Sequence, residues 1–287
     1  MKKKIAVLFH EKDRAQVEYY VITSLAEYWR EADYDVIFIF GVRQYYPADL
    51  ILVHVDLSVV PDEYLRFAQQ YPIVLNGNVK DIRKSTFSQN LVQPGDAYEG
   101  KVIVKTDLNY AGRPEQMVTH SRTAPRSGVL QWVTSRFRPE AESHLPHFET
   151  PQDYQVYDNL RQVPEIFFTS QNFVVEKFLP EMEDELFFVR YLRFLGDRTN
   201  AVRLGATSPI VNGRTQVFRE IIEPHSEIVE LRHTLKFDYG KFDYVLHGGR
   251  PILLDTNKTI GAARVPNPPQ IEARWRYLAA GIDGYFS

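Results

Sequence analysis

A chain of 287 residues can bury one large core or two to three small ones, and is long enough for a complete enzyme. Its 34 Lys and Arg against 37 Asp and Glu give a net charge of -3, with the basic residues spread along the chain, so no electrostatic footprint for nucleic acid stands out. The absence of cysteine excludes disulfides, thiol catalysis and Cys-ligated zinc and fits a reducing, cytoplasmic compartment, while 17 Tyr and 18 Phe speak for a packed globule rather than a disordered chain.

The amino terminus, MKKKIAVLFH, has lysines before an apolar run, but the run ends at His10, well short of the ~7 to 15 residues of a signal h-region, and reads as a first buried strand. No segment approaches the ~18 apolar residues of a membrane span. Residues 5–9, 36–40, 50–55 and 73–75 are short continuous apolar runs, the pattern of parallel strands covered on both faces. Helical spacing predicts a helix over 15–30 and a second, opened by proline, over 61–70. The result is a βαβ layer ending near residue 80, without a GxGxxG after its first strand, which disfavours a dinucleotide. His10, Glu11 and Lys12 follow the first strand, at the carboxyl end where ligands of such sheets sit.

Residues 80–91 form a charged, helix-capable connection, and 101–105 a short strand. Residues 106–165 are irregular and read as an excursive subdomain. Strands are predicted at 173–178, 186–194 and 200–204, with a hairpin turn at Gly196-Asp197, and a closing helix at 270–280.

The most informative stretch is LKFDYGKFDYVLHGGRPILLDTNKTIG, residues 235–261. Apolar runs flank Gly248-Gly249-Arg250-Pro251, a hairpin signal. With a three-residue loop, Asp243 pairs with Asp255 and Lys241 with Asn257, and all four side chains share one face. With a two-residue Gly248-Gly249 loop, the register slips by one and the aspartates part company. Two carboxylates and an amide oxygen are hard ligands suited to Mg²⁺, and a neighbouring lysine would neutralise phosphate charge. The competing reading is a hairpin whose polar residues face water.

Taken in order, Val102-Ile103-Val104-Lys105, Val174-Val175-Glu176-Lys177-Phe178-Leu179, Asp238-Tyr239-Gly240-Lys241-Phe242-Asp243 and Leu253-Leu254-Asp255-Thr256-Asn257 resemble the ATP-grasp superfamily. The resemblance implies an α/β (α+β) chain, an ATP-grasp fold preceded by a small Rossmann-like layer. That layer would span 1–80, a linker and lid subdomain 81–175, and a carboxy-terminal subdomain with the metal-binding hairpin 176–287. It further implies that Lys84 and Lys105 contact ATP phosphates and that Glu176, Lys177, Phe178 and Leu179 form the adenine strand. Glu185 would take the ribose, with Glu181 and Glu183 as competitors. Asp243, Asp255 and Asn257 would hold Mg²⁺, Lys241 would stand by the transferring phosphoryl group, and Arg203 would clamp phosphate or acceptor carboxylate, with Arg190 and Arg193 as alternatives. Where relatives carry a glycine-rich phosphate lid, this chain has residues 106–113 with a single glycine, and Asp255 stands where relatives usually have glutamate.

The activity so implied is ligation of a small-molecule carboxylate to an amine through an acyl phosphate, with release of ADP. The alternatives are a small-molecule kinase and a nucleotide-binding protein with little turnover. Neither nucleic acid nor membrane is expected as a partner, and the protein assembly considered is a homodimer.

Overall fold

The computed structural model describes residues 2–120, 148–262 and 269–286. Part of the irregular region expected at 106–165 therefore lies outside the described residues. Two compact units emerge, one of Met1–Ile82 with Leu179–Ser287 and one of Arg83–Phe178.

The first unit contains two sheets. Strands β1 (Lys4–Phe9), β2 (Asp35–Phe40), β3 (Leu50–Val53) and β4 (Ile73–Leu75) form a wholly parallel sheet in the order β2-β1-β3-β4. Helices α1 (Val21–Glu31) and α2 (Asp62–Ala68) connect its strands. β1 and β3 are buried along almost their whole length, which is why they read as continuous apolar runs. The helix expected from residue 15 begins only at Val21. Tyr19–Val21 is drawn into antiparallel pairing with 260–262, where the Val21 N–H donates to Ile260 O at 2.8 Å and Ala262 N–H to Tyr19 O at 2.7 Å, so Tyr20 is extended and two short 3₁₀ turns precede it.

The second sheet is antiparallel, mixing the fold class as expected for α/β with α+β character. It runs β11 (Phe218–Ile222), β10 (Arg198–Ala206), β9 (Leu186–Leu195), β12 (Tyr239–His247), β13 (Arg250–Asn257), with β8 (Glu181–Glu183) on the first residues of β9. The largest core in this unit joins β1, β3 and α1 to Leu195, Tyr239, Ile260 and the closing residues Leu278, Ala279 and Ile282. Trp29 Nε1 donates to Ala279 O at 2.8 Å within it. Asn76, in left-handed conformation after β4, is bonded on both amide atoms to the strand start at Asp238 and Tyr239, fixing the parallel sheet to β12.

The second unit is built on strands β5 (Val102–Thr106), β6 (Gln155–Tyr157) and β7 (Phe173–Lys177), antiparallel in the order β6-β5-β7. Helices α3 (Lys84–Phe87), α4 (Arg113–His120) and α5 (Ile166–Thr169) belong to it. Its core packs Val102, Val104, Phe173 and Val175 on Phe148, Leu160 and Phe167. The helix expected over 80–91 is one turn, because residues 90–92 are taken up as an extended partner of β7: Lys177 N–H donates to Asn90 O and Val92 N–H to Val175 O. Among the described residues, no helix is long and apolar enough to cross a membrane. Helix α6 (Ser226–Thr234) precedes β12, and α7 (Pro269–Ala279) packs against α1 in the shared core.

Candidate functional site

The β12–β13 hairpin turns through two residues, since His247 pairs with Arg250, and Gly248 and Gly249 have φ of 57° and 78°. Both values lie where only glycine is free of steric penalty, the requirement of a tight two-residue hairpin turn. On its own this turn would separate the aspartates. The ladder is corrected four residues later: Tyr244 pairs with Leu253 but Asp243 pairs with Asp255, leaving Leu254 as the extra residue of a β-bulge. Lys241 then faces Asn257. The expected pairing is present, produced by a different turn and a bulge that compensates it. Leu254 packs on Val189, Tyr191, Val202 and Leu204, the burial that holds the bulge in place. A Cβ on Gly240 would lie 2.5 Å from the Asn257 carbonyl oxygen, so glycine lets β13 approach at this level.

Lys241 Nζ lies 2.9 Å and 3.0 Å from the two carboxylate oxygens of Asp243, and both side chains keep slightly under a fifth of their surface exposed. Burial, and then the Asp255 charge, raise the Asp243 carboxyl above its usual range against the pull of Lys241. Burial would lower Lys241, but the attraction of Asp243 and Tyr191 outweighs it and the ammonium titrates high. Its Nζ also sits 4.2 Å from the Tyr191 ring centroid. Asn257 Oδ1 accepts from Thr259 N–H at 2.7 Å and lies 3.1 Å from Thr259 Oγ1, whose single proton goes to the nearer Asp56 Oδ1 at 2.5 Å. One lone pair of the amide oxygen is thus left. Two carboxylates and this oxygen fit a hard cation, and the mutual repulsion that raises Asp243 is what a cation would relieve. Among the described residues no group of three His, Cys, Asp or Glu side chains converges as a metal site, and the hairpin itself offers two carboxylates with an amide oxygen.

Arg203 corrects the sequence expectation. It pairs with Arg190 and Glu220 across the sheet, while Lys241 pairs with Arg193, so strand alternation puts Arg203 on the face opposite the hairpin carboxylates. There its guanidinium reaches Glu181 at 2.8 Å, Glu183 at 2.6 Å and Glu220 at 3.3 Å and stacks 3.6 Å over Phe188. Arg190 holds the same Glu181 through three contacts of 2.8 to 3.1 Å. The two arginines therefore belong to a structural network. The remaining alternative, Arg193, is the arginine that shares the hairpin's face. Of the ribose candidates, Glu185 is exposed at the β8–β9 turn with φ 65°, and Glu181 and Glu183 are engaged by these arginines.

In the second unit, Lys105 Nζ and Glu176 Oε2 form a 2.6 Å ion pair with 9% and 3% of the side chains exposed. Lys105 lies opposite Val174 and Glu176 opposite Ile103, so they meet diagonally on one face. Glu176 Oε1 is buried without a hydrogen-bond partner among the described residues. Lys84 is buried too, its Nζ donating to Leu108 O at 3.3 Å, while Asp107 caps its helix through Ser85 N–H and Oγ. The side chain of Lys177 lies over Tyr98 on the other face, and the N–H groups of Lys177 and Phe178 already donate to Asn90 and Lys101. Phe178 and Leu179 are half-buried. In the stretch expected as a lid, Tyr110, Ala111 and Gly112 all have positive φ, a strain of about 1–2 kcal/mol at each of the two non-glycine positions.

At the carboxyl ends of the parallel strands, His10 is buried against Tyr64 and Glu11 is exposed near Arg43. The residue missed there is Asp13, which burial, and then Asp56, push up to about 7. Nothing in its spacing distinguished it from a surface acid. Asp56 accepts from Tyr20 and Thr259 and so continues the hydrogen-bond chain from Asn257 into the parallel layer.

No protein-family model matches this chain, and no curated protein matches it in sequence. Among solved structures it is similar to D-alanine–D-alanine ligase from Bacillus anthracis, with 11% identity, 99% of this chain and 95% of that chain covered and a TM-score of 0.47. It is similar to a RimK domain ATP-grasp protein from Sphaerobacter thermophilus, with 10% identity, 98% of each chain covered and a TM-score of 0.49. It is also similar to the D-cycloserine synthetase DcsG, with 10% identity, 99% of this chain and 100% of that chain covered and a TM-score of 0.49.

Proposed function

We propose that the protein is an ATP-dependent carboxylate–amine ligase of the ATP-grasp type. The observation that carries this reading is the apposition of Lys241, Asp243, Asp255 and Asn257 on one face, achieved through a two-residue turn and a compensating bulge. An ordinary solvated hairpin has no need to bury two like charges beside each other. Asp243, Asp255 and Asn257 would hold Mg²⁺, which supplies charge neutralisation for ATP phosphates. Lys241 would neutralise the transferring phosphoryl group as a point charge. The ordered motifs assign Lys84 and Lys105 to phosphate and Glu176 through Leu179 to adenine.

The carboxylate substrate would take the γ-phosphoryl group, breaking the bond to the β-phosphate and releasing ADP. The amine would then attack the acyl carbon, lose a proton and expel phosphate. Phosphoryl transfer depends mainly on positioning and charge stabilisation, and a cluster of this kind supplies both.

The test is ADP release with ATP and Mg²⁺ over pooled amino acids and small carboxylates, with hydroxylamine as surrogate amine. ADP together with a hydroxamate supports the ligase. ADP with a phosphoester and no hydroxamate would make the protein a kinase, and bound ATP without ADP would leave a nucleotide-binding protein with little turnover.

A further inference from the structure

The two faces of the antiparallel sheet treat their arginines differently. On the face away from the hairpin carboxylates, Arg190 and Arg203 each have carboxylates in place. On the hairpin's own face lie Arg193 of β9, opposite Lys241 and Asn200, and Arg219 of β11, opposite Leu204. Arg274 of α7 joins them, donating to Ala201 O at 2.9 Å. Among the described residues the Arg193 guanidinium makes no hydrogen bond or ion pair. It is held between the rings of Tyr191 and Trp275, each 5.4 Å away, and its Nε is buried without a partner. The Asn200 Nδ2 beside it is also buried and unpartnered among the described residues. Burial chiefly, with Arg219 and Arg274 adding their repulsion, pushes Arg193 down to about 10. Asp243 attracts it, but Asp243 already carries the Lys241 ammonium.

We propose that this face receives a second anionic group of the substrate, an unreacting carboxylate held by Arg193 with Arg219, Arg274 and the Asn200 amide. The proposal rests on the ligase reading for the reacting end of that substrate and adds the class of molecule it takes. Guanidinium forks match a carboxylate bidentately, and an amide N–H completes the set. Arg193 is on the strand next to β12, directly opposite Lys241, while Arg219 on β11 lies three strands from β12, roughly 14 Å at the usual strand spacing. Toward Arg219 the same face is apolar, with Val189, Val202 and Leu204. A substrate matching this arrangement has its reacting group at the hairpin and a second carboxylate a short distance away at Arg193.

The test is calorimetric titration of the full chain with linear dicarboxylates of graded length, each against the monocarboxylate of equal length. At least one dicarboxylate is expected to bind about tenfold or more tighter than its partner. Arg193→Met should abolish that preference, Arg193→Lys should keep part of it, and Arg219→Ala, at an exposed position, should weaken it several-fold without risk to folding. The proposal is overturned if no dicarboxylate is preferred, or if the preference survives in both Arg193→Met and Arg219→Ala. It is equally overturned if Arg193→Met weakens ATP binding and leaves the preference intact, since the cations would then serve nucleotide phosphate. Dicarboxylate preference without ADP or hydroxamate formation would remove the ligase reading and leave the anion site standing. Hydroxamate formation without the preference would do the reverse.

Discussion

Two lysine–carboxylate pairs, one in each unit, look alike in sequence and differ in what surrounds them. Lys105–Glu176 is a cross-strand pair shut away from water, with 9% and 3% of its side chains exposed. Lys241–Asp243 lies along one strand, with 19% and 18% exposed, and a second carboxylate, Asp255, stands opposite it. The first is a closed pair whose value depends on both partners remaining together, because an isolated buried charge is costly. In the second, Asp255 repels Asp243 against the pull of Lys241, a repulsion that a cation would relieve.

The sharpest way to break the comparison is to truncate the closed pair. Glu176→Ala should destabilise the protein by about 3–5 kcal/mol, the cost of stranding a buried cation, read as a shift in urea midpoint. Asp255→Ala should act in the opposite sense on the two observables. Stability should hold or rise, since Asp243 loses its repulsive neighbour, while ADP formation falls by about 10²–10³-fold. Equal losses of stability and turnover in both variants would erase the distinction. Arg203→Ala tests the assignment of faces: it should cost about 1.5–3 kcal/mol through its charged hydrogen bonds and leave kcat unchanged, and a fall in kcat at unchanged stability would return Arg203 to the site.

Asp13 extends the comparison to a carboxylate that faces another carboxylate, Asp56, instead of a cation. Its native value of about 7 lies above the ordinary value near ~4, so the folded state holds the proton more tightly. Its contribution to stability is fully present below about pH 4 and is lost as pH rises through 7, at a slope of at most about 1.4 kcal/mol per pH unit. His54, fully buried among aromatic rings and pushed by burial down to about 3, works the other way and loses stability below its ordinary value near ~6.5. In a His54→Phe background, denaturation midpoints at pH 5 and 8 should therefore converge when Asp13→Asn is added, while His54→Phe alone should flatten only the acid side. An unchanged pH profile in Asp13→Asn would remove the raised titration.

The parallel strands were legible because β1 and β3 are buried on both faces and leave an unbroken apolar run, and Gly248-Gly249 marked the hairpin because left-handed backbone there demands glycine. The bulge at Leu254 was not legible. Leu253 and Leu254 are identical in sequence, and the choice of which one leaves the ladder falls to the apolar contacts under Leu254. The early part of the helix expected from residue 15 was overridden by pairing with a segment some 240 residues away along the chain, a contact no local pattern encodes. The same limit explains Arg203 and Arg193: three sequence-equivalent arginines on β9 and β10 were separated only when strand register placed them on opposite faces.

By itself, then, the sequence determined the local elements and the chemical inventory, because apolar periodicity and turn residues act over a few neighbours at a time. It also brought Lys241, Asp243, Asp255 and Asn257 into one hairpin, while their meeting on one face depended on the bulge at Leu254 that tertiary packing selected. Which cations stand beside them, which are spent on carboxylates, and which acids are buried against each other were decided by the tertiary structure. Charges interact through space over distances set by sheet register and dielectric, and neither is written in the spacing of residues along the chain.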